Sequence, residues 1–212
     1  MILGSQLAKL FLLAVLGYQA PRVTTVIPPA VPLNVVFGNT VLALAEVNEV
    51  GTVTHVRLLQ GAAPFTEEAV KSISQWHFDP AHLDSHAVAT EISVVMMFRP
   101  AAFGNAFVGG PSLGFTPPEV PKGDHPLLPH FIFDPGWPIA RYMNPGVVVF
   151  ELDITASGRV DWIRIVRDVP ATADFAKDVV MQWDFTPAVV NGSPVNSRMI
   201  VAISFLFPVL HR

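Results

Sequence analysis

Gln75-Trp76-His77-Phe78-Asp79-Pro80-Ala81 and Gln182-Trp183-Asp184-Phe185-Thr186-Pro187-Ala188 are one heptapeptide written twice. Working outward from them, residues 41–98 align without a gap on residues 148–205, so that Gly51 meets Gly158, Val53 meets Val160 and Arg57 meets Arg164. A repeat of this length is read before any local feature, because each copy is then one supersecondary unit. The chain is two tandem copies of a small module, and neither copy holds anything resembling an active site.

Composition narrows the class. A chain of 212 residues suits two modules of under about 100 residues each, with a modest core apiece. The hydrophobic fraction is 51%, the charged fraction 14% and the net charge −4, which argues against a nucleic-acid binder, since that needs a basic stripe. No Lys/Arg cluster is present to hold an anionic membrane surface. The absence of cysteine excludes disulfides, thiolate metal sites, a cysteine nucleophile and a lipidated cysteine.

Residues 1–20 read as a signal peptide or short anchor. Lys9 follows the amino terminus, an apolar run spans Leu10–Gly17, and Ala20 precedes Pro21. That is the pattern of a secretory leader, and the run is short of the roughly 20 residues that span a bilayer. Export with cleavage, retention as an inner-membrane anchor, and a buried cytoplasmic helix are the three readings; the first places the protein in the periplasm. The organisation expected beyond the leader is a Pro-rich lead (21–33), module 1 (34–100), a Gly/Pro-rich linker (101–136) and module 2 (137–208). The linker carries Leu113, Phe115, Leu127, Leu128, Phe131 and Phe133, which could pack back on either module.

Within each module the period changes from two to 3.6. Phe150-Glu151-Leu152-Asp153-Ile154 alternates apolar and acidic as a half-buried strand does. Gly158 can supply a turn, and Val160–Val166 returns as the second strand. A helix follows, with Thr66 or Thr172 as cap and Glu67, Glu68 or Asp174 in the first turn. Ala69, Ile73 and Trp76 share one helix face, as do Ala176, Val180 and Trp183, and Pro80 or Pro187 ends the helix. A last strand runs to Phe98 or Phe205. The fold class is therefore α+β: two tandem small β-β-α-β two-layer domains.

Gly-x-Val-x-x-(Val/Ile)-Arg, then a helix ending Gln-Trp-x-Phe-x-Pro-Ala, then Asn191-Gly192-Ser193-Pro194-Val195 and an apolar strand resemble the TonB C-terminal domain family. Gly136-Trp137-Pro138-Ile139-Ala140-Arg141 is similar to that family's aromatic-Pro lead-in, whereas copy one has His82-Leu83-Asp84-Ser85-His86 in place of the Asn-Gly turn. The resemblance implies a non-enzymatic periplasmic protein-interaction module that binds outer-membrane transporters by pairing its last strand with a transporter segment. Carried onto this chain, the partner-binding edge is Arg198, Met199, Ile200, Val201, Ala202, Ile203, Ser204 and Phe205, and the repeat maps it onto Glu91–Phe98. A full energy transducer of the family has an anchor with a functional histidine and a long charged spacer. Here no histidine precedes His55, and residues 21–33 are short.

Other residues have plainer readings. Trp76, Phe78, Trp183 and Phe185 are structural core. Arg57 and Arg164 are solvated or salt-bridged strand residues. Glu151 and Asp153 keep an exposed strand face wet. His77, His82 and His86 with Asp79 and Asp84 are a weak metal set, because copy two lacks the histidines; Asp124, His125, His130 and Asp134 rank with them. No hydrolase elbow, zinc-protease helix or phosphate loop is present, so no catalytic residue, metal or cofactor is assigned. Three functions fit: a cell-envelope adaptor, an envelope structural or peptidoglycan-binding module without a transport role, and an anchored transducer. Exposed last strands could also pair two chains as a homodimer.

Overall fold

A computed structural model describes residues 17–32, 37–99, 114–136 and 144–205. Most of the leader and residues 137–141 of the lead-in lie outside those residues. Among the described residues no helix is long and apolar enough to cross a membrane. Copy one runs β1 (Tyr18–Gln19), β2 (Arg22–Thr25), β3 (Asn39–Val47), β4 (Val53–Gln60), helix α1 (Phe65–Ile73), β5 (His77–Asp79), β6 (Ala81–Leu83), β7 (His86–Val88) and β8 (Thr90–Phe98). Copy two runs β9 (Leu128–Phe131), β10 (Gly146–Ile154), β11 (Val160–Arg167), helix α2 (Thr172–Val180), β12 (Asp184–Thr186), β13 (Ala188–Val190), β14 (Ser193–Val195) and β15 (Ser197–Phe205). The α+β class and the two tandem modules stand.

Each hairpin turn is fixed by its glycine. Gly51 and Gly158 have φ of 82° and 81°, and a Cβ on either would overlap the carbonyl oxygen of Phe78 or Phe185. In return, Gly51 O accepts from Phe78 N at 2.8 Å and Gly158 O from Phe185 N at 3.0 Å. The turn thus docks on the short strand that follows the tryptophan.

Both helices differ from expectation at their ends. Pro64 and Ala171 occupy the N-cap positions without a side-chain cap bond, and Thr66 and Thr172 lie inside the first turn. The Thr172 hydroxyl donates instead to Asn144 O at 2.8 Å. The helices end at Ile73 and Val180, so Trp76 and Trp183 follow them rather than ride on them. Trp76 N reaches Ile73 O at 3.0 Å and Trp183 N reaches Val180 O at 3.1 Å, the tight i→i−3 closure of a terminal turn. That closure turns the indoles inward, and both are fully buried, with Phe78 and Phe185 beside them. Pro80 and Pro187 fall after β5 and β12, and hairpins β6–β7 and β13–β14 precede the last strands.

The modules are joined rather than strung. One six-stranded sheet has the order β11-β10-β15-β8-β3-β4. Every neighbouring pair is antiparallel except the central one, where β15 and β8 run parallel. Val41, Ala43, Val94 and Met96 belong to the core that holds Phe65, Ala69 and Ile73 of α1. Their repeat partners Val148, Phe150, Val201 and Ile203 belong to the core that holds Ala173, Ala176 and Val180 of α2. The reverse faces are shared: Val147, Val149, Ile200 and Ala202 join the α1 core, while Leu42, Val95 and Met97 join the α2 core. The helices therefore lie on opposite faces, as a pseudo-twofold axis along the central strands requires.

The lead and linker also belong to the cores. β2 pairs with β5 and β9 with β12, the same arrangement in each copy. Val23 is buried in the α1 core, and Leu127 and Ile132 in the α2 core.

Candidate functional site

The strand expected to offer a free edge has none. Arg198–Phe205 sits between β10 and β8: Gly146–Ile154 pairs it on one side, and Ser93–Met97 pairs Met199–Ile203 on the other. Met199, Ile200, Val201, Ala202, Ile203, Ser204 and Phe205 are all buried. Arg198, at the start, donates from Nε to Asp153 at 2.6 Å and from Nη1 to Ala20 O at 2.8 Å. Ser204 Oγ accepts from Arg99 N at 2.9 Å. The mapped strand Glu91–Phe98 is equally central. The physical reason is that both strands are apolar on both faces, which only a strand covered on both sides tolerates.

The rows of backbone groups left open lie elsewhere. Among the described residues, β4 and β11 are the outer strands of the sheet, with no strand beyond them. Their pairing with β3 and β10 is broken by irregularities at equivalent places, Leu42/Ala43 with Val149/Phe150 and Glu46/Val47 with Asp153/Ile154. On β4, Thr54, His55, Arg57, Leu58 and Leu59 are exposed. Arg57 Nη2 pairs with Glu91 at 2.8 Å in an exposed contact. On β11 only Asp161 and Trp162 are exposed.

Glu151 corrects a second expectation. Its carboxylate is not on a wet face but buried at the junction of the modules. It accepts from Val23 N at 2.8 Å, and from Arg164 Nε at 3.0 Å and Nη2 at 2.9 Å. Arg22 stands 3.6 Å away and Arg198 3.9 Å. Arg164 Nη2 also donates to Val23 O at 2.6 Å. Copy two thereby grips Ala20–Val23, a segment that copy one holds through β2–β5. A buried carboxylate needs such partners, because desolvation without them costs several kcal/mol. Beside this network is an open cavity of about 530 Å³, lined by Tyr18, Arg22, Asp79, His82, Asp153, Asp161 and Arg198 among others.

A second tie crosses the seam at the other end of the sheet. Arg99 Nε meets Asp134 at 2.6 Å with both side chains buried, and the guanidinium lies 4.7 Å from the centre of the Phe205 ring. Burial pushes the Arg99 pKa down while the Asp134 charge and hydrogen bond pull it back up. Ser93 Oγ donates to Leu127 O further back along the seam, where Ser93 lies opposite Met199. Sequence reasoning offered Arg164 a salt bridge but missed what crosses between the modules, since Val23 is 128 residues from Glu151 and Asp134 is 35 from Arg99.

The candidate metal sets are not assembled. Among the described residues no three His, Cys, Asp or Glu side chains are placed to hold an ion. His86 Nδ1 meets Asp84 O, Asp134 is engaged with Arg99, and Asp124 accepts from Asn191 N and Gly192 N. Those two bonds, Gly192 first, hold the Asp124 pKa below its ordinary value.

A family model described as "Gram-negative bacterial TonB protein C-terminal" matches residues 38–100 and again 139–207. No curated protein matches the chain.

Proposed function

We propose a function from one premise: this chain belongs to the TonB C-terminal family of Gram-negative bacteria, in both of its repeats. It is a non-enzymatic adaptor of the cell envelope, exported to the periplasm, that takes up an extended segment of a partner protein by strand addition. The partner class the family suggests is an outer-membrane transporter. The observation that carries the reading is that the two last strands satisfy each other, so among the described residues the outer strands of the six-stranded sheet, open to addition, are β4 and β11.

Opening the seam to use β15 instead is costly. Val147, Val149, Ile200, Leu42, Val95 and Met97 are buried in the opposite module's core. Moving even four such side chains into water costs about 6–12 kcal/mol at about 1.5–3 kcal/mol each, comparable with the whole stability of a domain.

The chain has no cysteine, which permits a direct test. Val95 and Val201 are partners across the seam, and adjacent strands lie about 4.8 Å apart, within the range a disulfide spans. With Val95→Cys and Val201→Cys oxidised, a photo-crosslinker at Leu58 or Trp162 in envelope fractions should still capture a transporter. Capture that vanishes on oxidation and returns with reductant would place binding at the inner strands. Recovery of glycan alone would transfer the chain to the structural, peptidoglycan-binding reading.

A further inference from the structure

We propose that β4, not β11, is the docking edge, and that its ligand is an extended segment alternating acidic and apolar residues; this rests on the strand-adding reading above. The register places Leu58 opposite Ala43 and Val56 opposite Ala45 on the α1 face, and His55 opposite Glu46 and Arg57 opposite Leu44 on the reverse face. Across the reverse face one row runs Glu91, Glu46, His55, so the next position outward lies beside the His55 imidazole and is flanked by Arg57, the one arginine of β4. An incoming strand repeats the sheet's period of two, setting acidic side chains beside His55 and Arg57 and apolar ones beside Val56 and Leu58.

The two edges differ in what they have left to offer. Arg57 is 49% exposed and its partner Glu91 33% exposed; such a surface pair contributes little and exchanges readily. Leu58 and Leu59 are exposed at 42% and 36%, adjacent large apolar residues on a strand that sheets ordinarily protect. On β11, by contrast, Arg164 is bound to the buried Glu151 and to Val23 O, and Arg167 donates to Val147 O. Its cations are already engaged. The β4 edge is bounded at one end, where the Gln60 side chain donates to Gly114 O at 2.7 Å and accepts from Thr116 N at 3.2 Å. Thr54–Leu59 remains, room for about six residues of an added strand, roughly 20 Å.

Three end-blocked peptides that alternate valine with glutamate, lysine or serine test the assignment on the full chain. Affinity is read by fluorescence anisotropy and location by backbone amide exchange. The glutamate peptide should bind best and protect β4. Arg57→Glu should weaken it about tenfold and strengthen the lysine peptide, since opposite-charge neighbours are favourable and like charges opposed. Glu91→Gln, which releases Arg57 without adding charge to the edge, should strengthen the glutamate peptide a few fold and serves if Arg57→Glu disturbs the fold. Protection at β11, or binding indifferent to charge, overturns this inference and leaves strand addition standing. Protection at neither edge overturns both.

Discussion

Asp134→Asn should be among the most destabilising single changes in this chain, although it removes no volume. Arg99 and Asp134 are each about 1% exposed. Both influences that raise the Arg99 pKa against burial come from Asp134. Removing one partner of a buried pair costs about 3–5 kcal/mol, because the surviving charge remains desolvated. Asparagine keeps an oxygen that can accept from Gly136 N, as Asp134 Oδ1 does at 2.7 Å, and the Phe205 ring still faces the guanidinium. The loss should therefore sit near about 3 kcal/mol. In urea, with a slope of about 2–3 kcal/mol per molar, the midpoint falls by about 1–1.5 M. The paired replacement Arg99→Met with Asp134→Leu should return to within about 1 kcal/mol of the starting protein, since a buried ion pair can be exchanged for apolar packing at little cost. A single variant that loses under about 1 kcal/mol, or a double variant as unstable as the single, would refute the argument.

Trp76 Nε1 donates to Ile27 O at 2.9 Å, whereas Trp183 Nε1 has no partner among the described residues. Trp76→Phe should therefore cost about 1 kcal/mol more than Trp183→Phe in denaturant melts. Gly51→Ala and Gly158→Ala should each cost more than about 2 kcal/mol, and by similar amounts, because both combine a positive φ with overlap on a backbone oxygen; differential scanning calorimetry of the two variants measures it. Asp124 has a folded pKa below its ordinary value, so its contribution is fully present above the unfolded pKa and is lost as pH falls through the folded one. Melts of Asp124→Ala should run below the parent by a constant gap at neutral pH, and the gap should close in acid.

Much of the fold can be read from the repeat. Alternation in Phe150–Ile154 marked a strand, the glycines marked turns, and the apolar spacing marked the helices to within a turn. The last strands were misplaced as edges because pairing between copies is a long-range property with no local period. A signal was nevertheless present: Met199-Ile200-Val201-Ala202-Ile203 and Val94-Val95-Met96-Met97-Phe98 do not alternate, and a half-solvated strand would. Glu151 was misread for the complementary reason. Alternation with Leu152 placed it on the face away from α2, but that face is wet only if nothing lies on it, and here copy one does. The helix caps failed because threonine in a first turn looks the same in sequence whether it caps the helix or, as Thr172 does, anchors a neighbouring loop.

The parallel central pairing sets a limit on growth. Stacked repeats of the solenoid kind pass an identical surface from unit to unit, so that any number can follow. Here the two units spend the same surface on each other, face to face, and the axis that relates them returns the second unit to the first. A third copy appended to this chain would find no inner strand to join. Two is where this array closes, and lengthening it would need a different joint.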